Sequence, residues 1–256
     1  MKNTRTSMWN SLLIGTVAAL GSTTAQALPT TYTSRAAFDA AIAAILPAVN
    51  SNVINFESGS GGDLILSGGS FAGVNFSYAL PGGAQIGVNS SPLAGTSGSN
   101  FLGVSNDAGA SFSQFALGDQ INFSFSASHA FGMYVIPVGG DTFDFFNNDV
   151  NLTFAGTTLS NVDADVASFV GANNVAALFV GIIDPAATYT TASLLFGPVG
   201  GPAGAPFFEI DDIVKTSAIG SGIPDGTVPE PTTLALLGAG MLGITLARRK
   251  KVITRQ

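Results

Sequence analysis

From Asn52 to Lys215 the chain alternates short apolar runs with clusters of Gly, Ser, Asn and Pro, the punctuation of an all-β domain. Ile121-Asn122-Phe123-Ser124-Phe125-Ser126 alternates strictly, so Ile121, Phe123 and Phe125 share one face of a half-buried strand. Ala130 to Val138 is more continuously apolar and predicts a central strand with Pro137 near its end. Further strands are expected at Val53 to Glu57, Phe71 to Leu80, Val150 to Phe154, Ala176 to Ile183, Thr190 to Phe196 and Phe207 to Lys215. Residues 83 to 100 are rich in Gly, Ser and Asn and predict a long, partly mobile loop. One helix is expected, within Thr31 to Asn50: Thr33 or Ser34 caps it, Phe38, Ile42 and Ile45 or Leu46 share a face, and Pro47 ends it. No helices alternate with the strands, so the expected fold is an antiparallel two-sheet sandwich of jelly-roll type over residues 28–217.

Both ends of the chain depart from this pattern. Lys2 and Arg5, an apolar core from Leu12 to Leu20, and the small-x-small site Ala25-Gln26-Ala27 read as a secretory signal peptide over residues 1–27. The Sec translocon and signal peptidase are then the expected export partners. At the other end a linker (218–231) closes on Val228-Pro229-Glu230-Pro231, whose prolines keep the backbone extended. Residues Thr232 to Ala247 carry no charge and would span roughly 24 Å as a helix, slightly short of the ~30 Å hydrocarbon core. Arg248, Arg249, Lys250 and Lys251 then form a basic stop in a cytoplasmic tail (248–256), which points everything before the helix outward across the inner membrane.

Charge sharpens the division. Only Arg35 and Lys215 are basic between residues 28 and 228, against fifteen acids, a net of −13. Such a domain repels nucleic acid and anionic lipid, and its natural ionic partner is a divalent cation. There is no cysteine, so stability rests on the core even in an oxidising space.

The ordered set Pro229-Glu230-Pro231, Gly-rich apolar segment and Arg248 to Lys251 resembles the PEP-CTERM sorting signal of Gram-negative bacteria. That resemblance implies recognition by an exosortase, removal of the tail, and delivery of the cargo to the cell surface or matrix, the setting of biofilm polysaccharide. The helix near Ser34 to Ile45, the strands Ile54 to Glu57 and Ala130 to Val135, and the closing Phe208-Glu209-Ile210-Asp211-Asp212-Ile213 are similar to jelly-roll cargo domains of such proteins, related in shape to carbohydrate-binding modules. In those modules the first and last strands share a structural calcium, which implies Glu57, Asp211 and Asp212 as oxygen ligands. Successive strand residues point to opposite faces, so one aspartate is expected at the site and the other in solvent.

Other chemistry is sparse. Gly238, Gly240 and Gly243 spell a dinucleotide-binding pattern inside the apolar tail, where the required strand–turn–helix context is missing. His129 is the only histidine, which excludes a zinc site of His and Cys and leaves a Ser–His–carboxylate triad only arithmetically possible. Asp141, Asp144 and Asp149, and Asp163 with Asp165, lack the spacing of a calcium loop. The sole tryptophan, Trp9, lies in the signal peptide, leaving Phe145 and Phe146, helped by Tyr78 or Tyr189, as candidate sugar-stacking rings. The expectation is a non-enzymatic surface or matrix protein that binds extracellular polysaccharide. The alternative is a secreted carbohydrate-active enzyme using paired carboxylates such as Asp141 and Asp144.

Overall fold

A computed structural model describes residues 27–46, 49–91, 95–107, 109, 113–138, 149–161, 168–170, 175–197 and 207–216. They form two sheets in which every paired strand is antiparallel. The larger sheet runs β1 (Thr30–Tyr32), β13 (Val175–Ile183), β9 (Ala130–Val138), β15 (Phe207–Thr216), β7 (Asn100–Ser105), β6 (Gln85–Ser90), β3 (Leu64–Ile65). Beside that path, β12 (Ser168–Val170) pairs with β13 and β2 (Ser51–Ile54) with β15. The smaller sheet runs β11 (Thr157–Ser160), β10 (Val150–Phe154), β14 (Tyr189–Phe196), β8 (Gln120–Ser128), β5 (Val74–Tyr78), β4 (Ser70–Phe71).

One apolar layer joins the two sheets. The alternation on β8 buries Ile121, Phe123 and Phe125, as its sequence predicts. Across the layer, Phe131 of β9 meets three rings of the smaller sheet: Phe123 at 5.3 Å, Phe125 stacked at 4.7 Å and Phe154 at 6.1 Å between centroids. A second stack, Phe115, Phe196 and Phe208, fills another part of the same layer. β9 is central, between β13 and β15, in keeping with its near-continuous apolar run.

The helix α1 (Arg35–Ile45) covers the outer face of the larger sheet, with Phe38, Ile42 and Leu46 against Ala130, Phe179, Ile183 and Val214. A Cβ on Gly181 would lie 2.7 Å from the Phe38 ring, so glycine is what lets the helix approach this closely. Ser34 is the N-cap: its side chain accepts from Ala37 N–H at 3.4 Å. Ser34→Ala should therefore cost about 1 kcal/mol or slightly less, read as a small fall in melting temperature with an unchanged circular-dichroism spectrum.

Several sequence expectations shift. The helix is shorter than Thr31 to Asn50 because Thr30–Tyr32 pair with Gly181–Ile183 as an edge strand. Ile45 is 44 % exposed, so Leu46 takes the place on the buried face. The run from Phe71 to Leu80 is two strands, turned at Ala72 and Gly73, both in the left-handed region. The expected loop at 83–100 contains β6, where Ile86 and Val88 are fully buried; two apolar side chains two apart suffice when both neighbours supply backbone partners. β2 stops at Ile54, short of Glu57, since Phe56 adopts φ 58° and leaves the extended region. The signal-peptide residues before Ala27, the apolar segment 232–247 and the basic tail lie outside the described residues, among which no helix is long and apolar enough to cross a membrane.

Candidate functional site

β15 is the strand on which the acidic site is built. One edge pairs with β9 along most of its length, while the other changes partner: Ile210 faces Leu102 of β7, and Ile213–Thr216 face Ile54–Ser51 of β2. The strand after the helix, β2, is thus a neighbour of the last, β15. At the change of partner the register slips: Asp211 faces Tyr134 and Val214 faces Gly132, three steps on β15 against two on β9, which is a β-bulge. Asp212, at φ 49°, absorbs the extra residue in the left-handed region.

The bulge overturns the expectation that one aspartate faces solvent. Asp211 is 0 % and Asp212 6 % exposed, because inside a bulge successive side chains no longer alternate. The segment between β6 and β7 lies over them. Thr96 N–H donates to Asp211 Oδ2 at 2.7 Å, and Thr96 Oγ1 lies 2.8 Å from both Asp211 Oδ2 and Asp212 Oδ2. Asp212 N–H donates to Asp211 Oδ1 at 2.8 Å, while Asp212 Oδ1 is buried without a hydrogen-bond partner among the described residues.

Glu57 reaches the other end of the same segment. Its Oε1 accepts from Asn100 N–H at 2.7 Å, and Asn100 Nδ2 donates to the carbonyls of Phe56 and Gly59. A Cβ on Gly98 would sit 2.3 Å from the Glu57 carboxyl, so a side chain there would push the carboxyl aside. Among the described residues no three of Asp, Glu and His converge as a group able to hold a metal. The carboxylates that do meet are Asp211 and Asp212, with Glu57 bracing the cover.

Two buried carboxyls meet at one hydroxyl. A hydroxyl carries a single hydrogen, so Thr96 Oγ1 cannot donate well to two carboxylate oxygens at once. Either a proton on one carboxyl or a cation must complete the contact. Burial and then the charge of Asp212 push Asp211 up to about 7, against the stabilising bonds from Thr96 and the Asp212 N–H. Glu209, two residues back and 3 % exposed, is pushed up to about 8 by burial and then by Asp211. Among the described residues the ion pair that forms is elsewhere, Arg35 with Asp39 on α1. The atoms that meet are all oxygen, two carboxylates and the Thr96 hydroxyl, and among the described residues Asp212 Oδ1 is buried without a hydrogen-bond partner.

Other candidates resolve differently. Ser128 is fully buried and donates to Ala130 O at 2.6 Å; His129 Nδ1 meets the Asp184 backbone carbonyl at 3.1 Å, not its carboxylate. Asp184 instead accepts from Ala186 N–H and the Tyr189 hydroxyl. The side chains of a Ser–His–Asp relay are therefore near in space without its connectivity. Phe145, Phe146, Asp141, Asp144, Asp163 and Asp165 lie outside the described residues, as do Ala25 and the segment Val228–Pro231. Thr96 and Asn100 escape sequence reasoning because their partners are more than forty positions away. Glu209 could have been found, since residues two apart on a strand share a face with Asp211.

Comparison with known proteins adds one finding: the family model described as PEP-CTERM protein-sorting motif matches residues 227–251. No curated protein and no solved structure matches the chain.

Proposed function

We propose that this chain, which carries the PEP-CTERM sorting motif at residues 227–251, is a non-enzymatic cell-surface or extracellular-matrix protein whose jelly-roll-like sandwich binds extracellular polysaccharide. The motif carries the sorting part of this reading. It implies export, an exosortase as processing partner and a membrane-anchored sorting intermediate. The Ala25-Gln26-Ala27 site supplies the matching entry to the Sec pathway. With both ends removed, what reaches the outside is an acidic β-domain with two basic residues, built to remain soluble rather than to bind membranes or nucleic acid. We assign Asp211 and Asp212 as the carboxylate ligands of a structural calcium, with Thr96 beside them and Glu57 holding the covering segment. Calcium would balance the two carboxylates and lock the change of partner on β15.

The sorting reading is tested by fractionating cells that express the full chain with its exosortase present or deleted. The expected result is a shortened product in the medium or at the surface, and a full-length inner-membrane form when the exosortase is absent. Replacing Pro229, Glu230 and Pro231 together by alanine should give that same retained form. A surface product that keeps its tail in the presence of the exosortase would overturn the proposal.

A further inference from the structure

The smaller sheet has a solvent face that the core does not use. Phe76, Phe123, Leu152, Phe154 and Leu194 point inward, so the residues alternating with them must point out. Register lines these outward residues up across five strands: Ser77 on β5, Asn122 on β8, Ser193 on β14, Thr153 on β10 and Thr158 on β11. At ~4.8 Å between strands the row is about 19 Å long. A second row, Asn75, Ser124 and Thr191, runs beside it. Every one of these side chains is an uncharged hydroxyl or amide.

A groove of about 380 Å³ runs along Ser77, Asn122, Ser193 and Thr153 of the first row and Ser124 and Thr191 of the second, walled by Ala155 and Gly156 of the β10–β11 turn and by Tyr189. The Tyr189 ring is held at both ends: its hydroxyl donates to Asp184 Oδ2 at 2.7 Å and its ring meets Phe154 at 5.4 Å, edge to face. The polar rows are also preset, through Thr153 Oγ1 to Thr158 Oγ1 at 2.8 Å and Asn75 Nδ2 to Ser124 Oγ at 3.4 Å. A preset surface spends little side-chain entropy when a ligand arrives.

From this juxtaposition we infer that the groove on the smaller sheet is the binding face, and that its ligand is an uncharged polysaccharide chain lying across the strands. This rests on the polysaccharide reading above and names its site. Hydroxyl and amide groups both donate and accept, which matches the hydroxyls of a sugar and wastes neither partner. The strand spacing is close to the length of one pyranose ring, so successive strands meet successive sugars. No charged side chain lines the groove, and the domain around it is strongly acidic, so a polyanion gains no partner there and is repelled on approach. The fixed Tyr189 ring offers one stacking surface at the groove wall.

The test is affinity electrophoresis of the full chain through gels containing neutral glucan, mannan or galactan, or an anionic polyuronate. Retardation by at least one neutral polymer is expected, weakened about tenfold by Asn122→Ala with Ser193→Ala, the loss of one to two hydrogen bonds. Thr191→Ala should weaken it less, and both variants should keep the parent melting temperature. Neutral-polymer binding that survives these changes would overturn the groove while leaving polysaccharide binding intact. Retardation by the polyuronate alone would overturn the choice of an uncharged ligand. No retardation in any gel would sink the polysaccharide reading and the groove together. A dimer that the same substitutions dissolve would reassign the face to a second copy of the chain.

Discussion

Phe131→Ala is expected to cost about 3–5 kcal/mol, the range for a buried phenylalanine in a core that cannot collapse onto the gap. Phe131 is fully buried, and its ring touches Phe123, Phe125 and Phe154 on the opposite sheet. Those rings stand on strands tied into their own ladders, so they cannot close the void without moving a sheet. The loss compares with ~5–15 kcal/mol for a whole domain, and at ~2–4 °C per kcal/mol it lowers the melting temperature by roughly 6–20 °C. Differential scanning calorimetry beside Val53→Ala, at a position 40 % exposed, provides the scale, since that control should stay within about 0.5 kcal/mol. A Phe131→Ala loss no larger than the control's would mean the two sheets are not joined through this ring.

The second large effect concerns the acidic bulge, and its sign depends on the metal. In the metal-free protein Asp211 titrates near 7 and Glu209 near 8, whereas unfolded carboxyls titrate near ~4. Between those values the folded chain still holds protons the unfolded chain has released, so stability falls as pH rises from about 5 to 8. Thermal melts in EDTA should show that decline. Calcium needs the ionised carboxylates, so its gain should be largest at the alkaline end, about 2.7 kcal/mol at a hundredfold excess over Kd. Asp212→Asn is the informative variant, because asparagine tolerates the left-handed conformation this residue occupies. It removes charge without straining the bulge. It should raise the metal-free melting temperature at pH 8 and abolish the calcium response. A parent protein whose melting temperature is the same in calcium and in EDTA at pH 8 has no such site.

Much of the architecture could be read along the chain where burial repeats with a local period. β8 alternates, β9 runs continuously apolar, and Ser34, Phe38 and Ile42 mark the helix, so these elements stand where their patterns place them. The misread segment 83–100 is instructive. Its Gly, Ser and Asn content signals a loop, yet Gln85–Ser90 is a strand paired on both edges, with β3 and with β7. Backbone partners there replace side-chain mass, and those partners are remote in sequence. Element ends failed for a related reason: Phe56 and Ala72 turn in the left-handed region, which no propensity of phenylalanine or alanine announces.

The amino-acid sequence by itself determined the address of this protein and the sign of its charge. The sorting motif in the tail from Val228 to Lys251 is a linear segment, so it needs no fold to be recognised. Only the tertiary structure decided what the acidic residues are. Asp211 and Asp212 look like alternating neighbours on a strand, but the exchange of β7 for β2 beside β15 forces a bulge that buries both beneath Thr96. In the same way Ser77, Asn122, Ser193, Thr153 and Thr158 are scattered polar residues until antiparallel register sets them in one row. Both arrangements depend on contacts between distant segments, and such contacts are formed by the closing of the core, not by any local preference of the chain.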